Sequence, residues 1–205
     1  TTAQVVALTT DQFSSLTTDQ LVAMTTKQVA AMETEDEQAL STDQLVAMTT
    51  SQIAAMTTVQ VVALTTNQVS NLTTKQLIAM TTKQVAAMET EDQLVLSTDQ
   101  MLAMTSAQVA ALTDLQVKQL STANIQALTS DQAKVLTQAQ LGALTSGQVA
   151  AMDTVDVAQL TTGQIRTLGN AALTGLTTAQ VNNLTTAQVA ALTADQLKVL
   201  STNQV

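Results

Sequence analysis

Hydrophobic residues recur along this chain with a period of eight residues and no interruption. Written in octads from Thr1, the sequence follows the consensus T-T-x-Q-[VLI]-x-A-[LM] through 25 complete units, and the last five residues open another. Position 8 is Leu or Met in all 25 complete octads, and position 4 is Gln in 21 of 26. The pattern therefore predicts one continuous repeat array over residues 1–205 rather than a domain built around a single core.

The spacing of positions 5 and 8 favours a helix within each octad. Residues three apart share one face of a helix, whereas on a strand they point to opposite faces. Thr at position 1 and Gln at position 4 match the capping box, and the apolar residues at positions 8 and 5 match the hydrophobic staple around it. The predicted caps early in the chain pair Thr9 with Gln12, Thr17 with Gln20, and Thr25 with Gln28.

A single uninterrupted helix does not fit the period. Each octad would add an offset of about 80°, so the Leu/Met stripe would wind around the helix and no partner could cover it. We therefore expect a turn between position 8 and the next position 1. Helices of about six residues are unstable alone and must stack on their neighbours. The predicted fold is an all-α solenoid of short capped helices, one per octad, wound into a tight superhelix. Several octads must complete each turn, with three or four the expected range, and the sequence does not fix the number. A β-solenoid is the alternative, since Thr and Val favour strands.

Positions 5 and 8 are predicted to form the core of this solenoid. Met alternates with Leu at position 8 and serves there as core filler of matching volume. Lys and Arg occur only at positions 3 and 6, which are therefore expected to face water. The first eight predicted core residues at position 8 are Leu8, Leu16, Met24, Met32, Leu40, Met48, Met56 and Leu64.

Three irregular octads, 33–40, 89–96 and 153–160, carry an acid at position 1 and Asp at position 4. In the first two, the capping box is predicted to slide by one residue, with Leu94 moving into the next position along. Carboxylates are what Ca²⁺ prefers, but the D-x-D-x-D-G spacing of a Ca²⁺ loop is missing. Acids stabilised at a helix N-terminus are the favoured interpretation. The weak Ca²⁺ candidates are Glu33, Glu35, Asp36 and Glu37; the shifted boxes would join Thr34 to Glu37 and Thr90 to Gln93.

The octad 169–176 lacks both the Thr and the Gln of the consensus. Its Gly169-Asn170 pair follows Leu168 and resembles a helix C-cap in the left-handed region, which would mark a bend or a contact point. Tolerated decay of the repeat is the favoured interpretation. A longer period overlies the octads: residues 25–48 recur with few changes at 81–104, an offset of seven octads. This recurrence indicates block duplication within the array.

Composition excludes most chemistry. The chain has no Cys, His, Trp, Tyr or Pro, so Ser and Thr lack a His partner, and no enzyme activity, cofactor or metal is predicted. Seven basic residues stand against sixteen acidic ones, giving a net charge of −9, which is the wrong sign for binding nucleic acid. Apolar runs reach only about four residues, far from the ~20 that span a bilayer, so no membrane insertion is predicted.

Runs such as LTTAQVAALTADQL (184–197) and MTTSQIAAMTTVQVVALTTNQV (48–69) resemble octapeptide regions of giant bacterial surface and secreted proteins, some described as adhesin-like or haem-utilisation proteins. The resemblance implies an extracellular stalk, adhesin or matrix filament whose partner is itself or a continuation of the same array. The haem description finds no support in a chain without His, Cys or Tyr. The first residue is not Met and the last octad is incomplete, so we expect a fragment of a longer protein. The alternative function is a binding module that uses a Thr-rich face for ice, glycan or peptide.

Overall fold

The computed structural model describes residues 1–201 and 204, and this part of the chain contains 25 short α-helices and no β-strand. The all-α prediction is confirmed, and the β-solenoid alternative is wrong. The helices are α1 Thr2–Val6, α2 Thr10–Ser14, α3 Thr18–Val22, α4 Thr26–Val29, α5 Thr34–Ala39, α6 Thr42–Ala47, α7 Thr50–Ala55, α8 Thr58–Ala63, α9 Thr66–Asn71, α10 Thr74–Ala79, α11 Thr82–Ala87, α12 Thr90–Val95, α13 Thr98–Ala103, α14 Ser106–Ala111, α15 Asp114–Gln119, α16 Thr122–Gln126, α17 Ser130–Lys134, α18 Gln138–Ala143, α19 Ser146–Ala151, α20 Thr154–Gln159, α21 Thr162–Thr167, α22 Asn170–Leu173, α23 Thr178–Asn182, α24 Thr186–Ala191 and α25 Ala194–Val199.

Each helix begins at position 2 of its octad because position 1 is the N-cap. The predicted capping boxes are confirmed: the Thr9 amide donates to Gln12 Oε1 at 2.9 Å, and the Gln12 amide donates to Thr9 Oγ1 at 3.3 Å. The pairs Thr17–Gln20 and Thr25–Gln28 make the same two bonds. At the other end, position 8 is extended in most octads, as at Met56 (φ −57°, ψ 142°), so the chain turns before the next cap.

The chain divides into two compact units, Thr1–Met104 and Thr105–Val205. Within each unit, every helix packs against the helix three places further along, from α1 with α4 to α10 with α13, and from α14 with α17 to α22 with α25. Successive turns of each unit therefore lie side by side, as expected of a solenoid. Each described helix has six residues or fewer, and none of them could span a bilayer.

Position 5 forms the centre of the core, and position 8 completes it. Five of the eight predicted position-8 core residues are buried: Met32, Leu40, Met48, Met56 and Leu64. The other three, Leu8, Leu16 and Met24, are only half-buried, because they belong to the first turn and no earlier turn covers them. The prediction that cations face water is confirmed at Lys27, Lys75, Lys83, Lys118, Lys134, Arg166 and Lys198, which are all exposed.

In the octad 169–176, the C-cap alternative is wrong. Gly169 is not a left-handed C-cap: it has φ −65° and ψ 152° and is the N-cap of α22, in the same extended conformation as position 1 of the other octads. The existing junction between octads already ends α21, so no left-handed residue is needed. Glycine matters instead at Gly175, where an added Cβ would lie 1.9 Å from the Ser146 carbonyl oxygen.

Candidate functional site

The side chain at position 4 joins two turns of the solenoid. Gln52 shows the arrangement: its Oε1 accepts the Thr49 amide at 2.8 Å, which completes the capping box of its own helix. Its Nε2 donates to the carbonyl oxygens of Leu21 at 2.8 Å, Val22 at 3.3 Å and Met24 at 2.9 Å. These carbonyls lie at the end of α3, where helix carbonyls have no partner within the helix. One buried amide therefore caps the start of one helix and the end of another.

This contact, which we call the glutamine clamp, recurs through both units. In each case Nε2 donates to the position-8 carbonyl 28 residues earlier, and in nearly every case also to the position-5 carbonyl 31 residues earlier. The clamps include Gln44, Gln52, Gln60, Gln68, Gln76, Gln84 and Gln100 in the first unit, and Gln140, Gln148, Gln164, Gln180, Gln188, Gln196 and Gln204 in the second.

The clamps and the helix packing together give the number of octads in each turn of a unit. A helix packs beside the helix three octads away, while its clamp reaches back to the octad four places earlier. One turn therefore takes between three and four octads, and successive turns are staggered by part of an octad. The sequence period leaves this number open because it depends on contacts between turns.

Sequence reasoning gave position 4 only its capping role and missed the clamp. A signal for it exists in the composition of that position. A capping box accepts Glu as well as Gln, and the helix dipole favours an acid near the N-terminus. Position 4 nevertheless contains Gln 21 times and Glu never. Since position 4 never contains Glu, the carboxylate counterpart of Gln, it requires the N–H donors of the Gln amide.

The acidic octads keep the register of their neighbours, so the predicted one-residue slide is wrong. α5 still begins at Thr34, with Glu33 as the cap residue, and Asp36 Oδ2 accepts the Glu33 amide at 3.4 Å. In the same way Asp92 accepts the Glu89 amide at 3.1 Å. The register is held from outside the octad, because Gln68 donates to the carbonyls of Glu37 at 2.7 Å and Leu40 at 3.0 Å.

Keeping the register places polar side chains in the core at position 5. Glu37 is 1% exposed and Gln93 is fully buried, and the polar side-chain atoms of both make no hydrogen bond. Leu94 does not move inward as predicted and remains 59% exposed at position 6. An unpaired buried polar group costs about 1–3 kcal/mol. These two octads are therefore weak points in the first unit.

Burial changes the protonation of the acids in these octads. Burial, and then the neighbouring Asp36 charge, raise the pKa of Glu37 to about 9. Burial raises the pKa of Asp92 to about 6, against the opposing effect of the hydrogen bond from the Glu89 amide. The pKa of Asp36 is raised for the same main reason. Glu37 is therefore a neutral acid at pH 7.

The four Ca²⁺ candidates are not brought together. Asp36 faces the cap amide, Glu37 lies in the core, and Glu35 accepts the Thr34 hydroxyl at 3.0 Å. Glu33 occupies the cap position itself. Among the described residues, no group of three or more His, Cys, Asp or Glu is arranged to hold a metal ion. In the third acidic octad, Asp156 instead accepts the Ser130 hydroxyl at 2.5 Å, a contact that joins two turns.

Comparison with known protein families identifies the repeat. A family model described as the ALTTAQ repeat matches residues 1–26, 29–66, 61–90 and 149–186, which together make up more than half of the chain. The chain belongs to the ALTTAQ repeat family. The six letters of that name correspond to positions 7 and 8 of one octad and positions 1 to 4 of the next. The ALTTAQ motif therefore covers the turn between helices, the capping box and the glutamine clamp. A search among curated proteins finds no significant match.

Proposed function

We propose that this ALTTAQ repeat chain is a structural segment that supplies length, as a stalk, spacer or self-associating filament, and performs no catalysis. One observation carries the proposal: the same clamp joins turn to turn throughout each unit, so every turn is held by its immediate neighbours. A solenoid of this kind gains length by adding repeats, with no change to the repeats already present. The recurrence of residues 25–48 at 81–104 is what growth by whole blocks would leave in the sequence.

The test is to shorten the array in register. Residues 25–32 and 81–88 are identical, so deletion of 33–88 joins Met32 to Glu89 and recreates the natural junction after Met88. We expect the shortened chain to keep its helix content per residue, measured by circular dichroism. Its maximum dimension in small-angle X-ray scattering should fall by roughly a quarter, in proportion to the octads removed.

A matched control removes nearly the same number of residues out of register. Deletion of 33–84 joins Met32 to Val85, shifts all later octads by half a repeat, and misaligns every clamp across the junction. This variant should lose helix content. If the in-register deletion loses as much as the control, or shortens the particle by nothing, the chain is not a modular spacer.

We further propose that the segment works outside the cell, on the surface or in the matrix of a bacterium. Support comes from the resemblance of its octads to those of giant bacterial surface and secreted proteins. The chain also contains no Cys that oxidation could cross-link. Protease treatment of intact cells that produce the full protein would test this proposal, since an external segment is digested while a cytoplasmic marker survives.

A second candidate function, binding of ice, glycan or peptide, has one observation in its favour. The cap uses Thr at position 1, so the hydroxyl at position 2 is left at the surface, as at Thr50, Thr58 and Thr66. Because three to four octads make a turn, these hydroxyls are staggered between adjacent turns instead of forming one straight row. Thermal hysteresis in a dilute solution of the chain tests ice binding, and a glycan or peptide array tests the rest.

A further inference from the structure

The two units differ at position 6, on the outside of the octad. In the first unit, position 6 is Val, Ile or Leu in seven of 13 octads and is never Lys or Arg. In the second unit, position 6 is never Val, Ile or Leu in 12 octads, and it is Lys or Arg in four of them. Both units have the same repeat and the same helices, so the fold does not require apolar residues there. These residues are a property of the surface of the first unit.

Four of the apolar position-6 residues lie together on one side of the first unit. Helix α3 packs on α6, and α10 packs on α13. Gln76 of α10 joins the two pairs, because its Nε2 donates to the carbonyls of Leu45 at 2.8 Å and Val46 at 3.2 Å in α6. These residues, which we call the stripe, therefore cross four successive turns. They are Val22, Val46, Ile78 and Leu102, with exposed fractions of 39%, 39%, 44% and 52%.

The exposure of the stripe is a feature of the interior of the array. Val46 has a turn of the solenoid on either side, through α3 and through α10, and it is as exposed as Val22. The side chain at position 6 points away from the core in each of the four helices. The turns above and below therefore leave the stripe uncovered.

Charged residues form a different edge on each side of the stripe. The chain runs round the solenoid, so residues that precede position 6 lie on one side of the stripe and residues that follow it lie on the other. Position 3 of the same four helices forms an acidic edge with a net charge of −2, made of Asp19, Asp43, Lys75 and Asp99. Position 3 of the next helices, α4, α7 and α11, forms a basic edge with a net charge of +2, made of Lys27, Ser51 and Lys83. All seven residues are exposed.

We propose that the stripe of one chain packs against the stripe of a second copy, with the two first units side by side and parallel. A partner for the stripe must present one apolar side chain for each turn, with the same rise per turn as this solenoid. A second copy has that rise, so the match holds over all four turns. In a parallel pair, the acidic edge of each copy faces the basic edge of the other, whereas an antiparallel pair places acids against acids. The contact is isologous, about a two-fold axis parallel to the solenoids.

The inference rests on the proposed structural function, since it names the contact by which the segment self-associates. Four partly exposed side chains form a small interface compared with the ~800 Å² per partner of a standard one. One pair of units therefore contributes a weak contact. Two arrays that align several such units would add these contacts, so the association would strengthen with the number of units aligned.

Disulfide capture tests the contact, because the chain has no Cys of its own. In the Val46→Cys variant of the 205-residue chain, mild oxidation should link two copies through the stripe. Val62→Cys is the matched control: Val62 also occupies position 6 of the first unit and is 40% exposed, but its helix α8 packs on α5 and α11, outside the stripe. Dimers should form at least about tenfold faster in the Val46→Cys variant, with equal reactivity towards a small thiol reagent. Equal rates of dimer formation would overturn the proposal.

Removing the stripe tests the association of the chain without a cross-link. Val46→Asp with Ile78→Asp places unpaired carboxylates in the contact, so the association constant from analytical ultracentrifugation should fall at least about tenfold. Val62→Asp with Leu94→Asp adds the same charges at position 6 outside the stripe and should associate like the natural chain. The first unit has eleven acidic and three basic residues, so the measurements use about 0.15 M salt, which screens long-range repulsion.

The outcomes of this comparison are distinct. An equal loss in both double variants would show that net charge governs association and would overturn the proposal. A natural chain that stays monomeric at the highest concentration it reaches would also overturn it. If circular dichroism shows that the variant of the stripe has lost helix, Val46→Ser with Ile78→Ser replaces it.

Charge reversal tests the parallel arrangement. Lys27→Glu with Lys83→Glu makes both edges acidic and should weaken association at least about tenfold. Adding Asp43→Lys and Asp99→Lys to the same chain exchanges the two edges and should restore it. In an antiparallel pair the first change would remove no attraction. Association that is not weakened by the first change, or not restored by the second, would overturn the proposal.

Lys118→Glu with Lys134→Glu, at position 6 of the second unit, is the control for net charge and should leave association unchanged. X-ray scattering of the Val46→Asp, Ile78→Asp variant then separates this inference from the proposed function. If the natural chain never associates but the length of the monomer scales with its octads, the structural function stands and the contact is wrong. A monomer whose dimensions do not follow octad number removes the structural function itself.

Discussion

The octads 49–56 and 33–40 have the same backbone and very different side chains. Both contain a six-residue helix that starts at position 2, and both bury position 8, at Met56 and Leu40. They differ at positions 4 and 5, where the regular octad has Gln52 and Ile53 and the acidic octad has Asp36 and Glu37. The structure of an octad is therefore imposed by the turns above and below it, even when its own residues fit poorly.

The comparison also shows what the clamp adds. Gln52 makes its cap hydrogen bond and also donates to three carbonyls. Asp36 makes only the cap hydrogen bond, in which its Oδ2 accepts the Glu33 amide at 3.4 Å. Asp has no N–H donor and is one methylene shorter. Ile53 and Glu37 are equally buried, each at 1% exposed, but burial stabilises the fold only at the apolar side chain of Ile53. The acidic octads are tolerated because the regular octads around them supply the missing stability.

The largest effect is expected from replacing the buried acid. Glu37→Val should stabilise the first unit by about 4 kcal/mol at pH 7, because the cost of keeping the acid protonated disappears and an apolar side chain fills the site. Chemical denaturation measures the change. Glu35→Val, at an exposed position where Val59 also occurs, is the control and should leave the denaturation midpoint unchanged. A destabilised Glu37→Val chain would mean that the acid has a partner.

The pH dependence of stability should show the titration of the Glu37 carboxyl. The folded pKa of Glu37, about 9, lies above its ordinary value of 4.5. Its contribution to the stability of the fold is therefore fully present below pH 4.5 and is lost as the pH rises towards 9. Between pH 6 and pH 8 we expect a loss of about 3 kcal/mol. Asp92, with a pKa of about 6, adds a loss only at lower pH. Melting temperatures recorded against pH measure the slope, and Glu37→Gln should flatten it above pH 6. A slope that persists in this variant would assign the titration to another group.

Breaking a clamp should change the stability of the fold by less than replacing the buried acid does. Gln52→Glu keeps the cap acceptor but removes the donor to α3, and should destabilise the fold by about 2 kcal/mol. Hydrogen exchange of amides near Leu21 and Met24 should accelerate with it. Gln12→Glu is the matched control, because Gln12 makes the same cap bond but is exposed and has hydrogen bonds only within its octad. Equal losses of stability at the two positions would show that Gln52 acts only as part of a capping box and that its bonds to the earlier turn add nothing.

The smallest effect is expected from restoring a clamp. Asp92→Gln places an amide within reach of the Val61 and Leu64 carbonyls by the 31- and 28-residue spacing, and should stabilise the chain by about 1 kcal/mol. Asp99→Asn removes a carboxylate at an exposed position and should have no measurable effect. Denaturation midpoints of the two variants, compared at pH 7, decide the matter. No gain from Asp92→Gln would mean that the acidic octad does not admit a clamp.

Much of the fold follows from the sequence because its determinants are local. The capping boxes, the start of each helix, the core at positions 5 and 8 and the exposure of the cations all depend on residues within one octad or at its junctions. The clamp escaped prediction because its partners are 28 and 31 residues away, a distance set by the number of octads per turn. Glu37 and Leu94 were misplaced for the same reason: their own octads favour a shifted register, and residues of other turns, such as Gln68, oppose it.

The clamp between neighbouring turns also has a mechanical consequence. A tensile force applied along one unit would act on its turns in series. Each turn is held by the apolar contacts of positions 5 and 8 and by the hydrogen bonds of the clamps, which can break one turn after another. Each released span of 28 residues would add roughly 90 Å of contour length. Such a unit would therefore extend in small regular steps, one for each turn released, instead of unfolding in a single event.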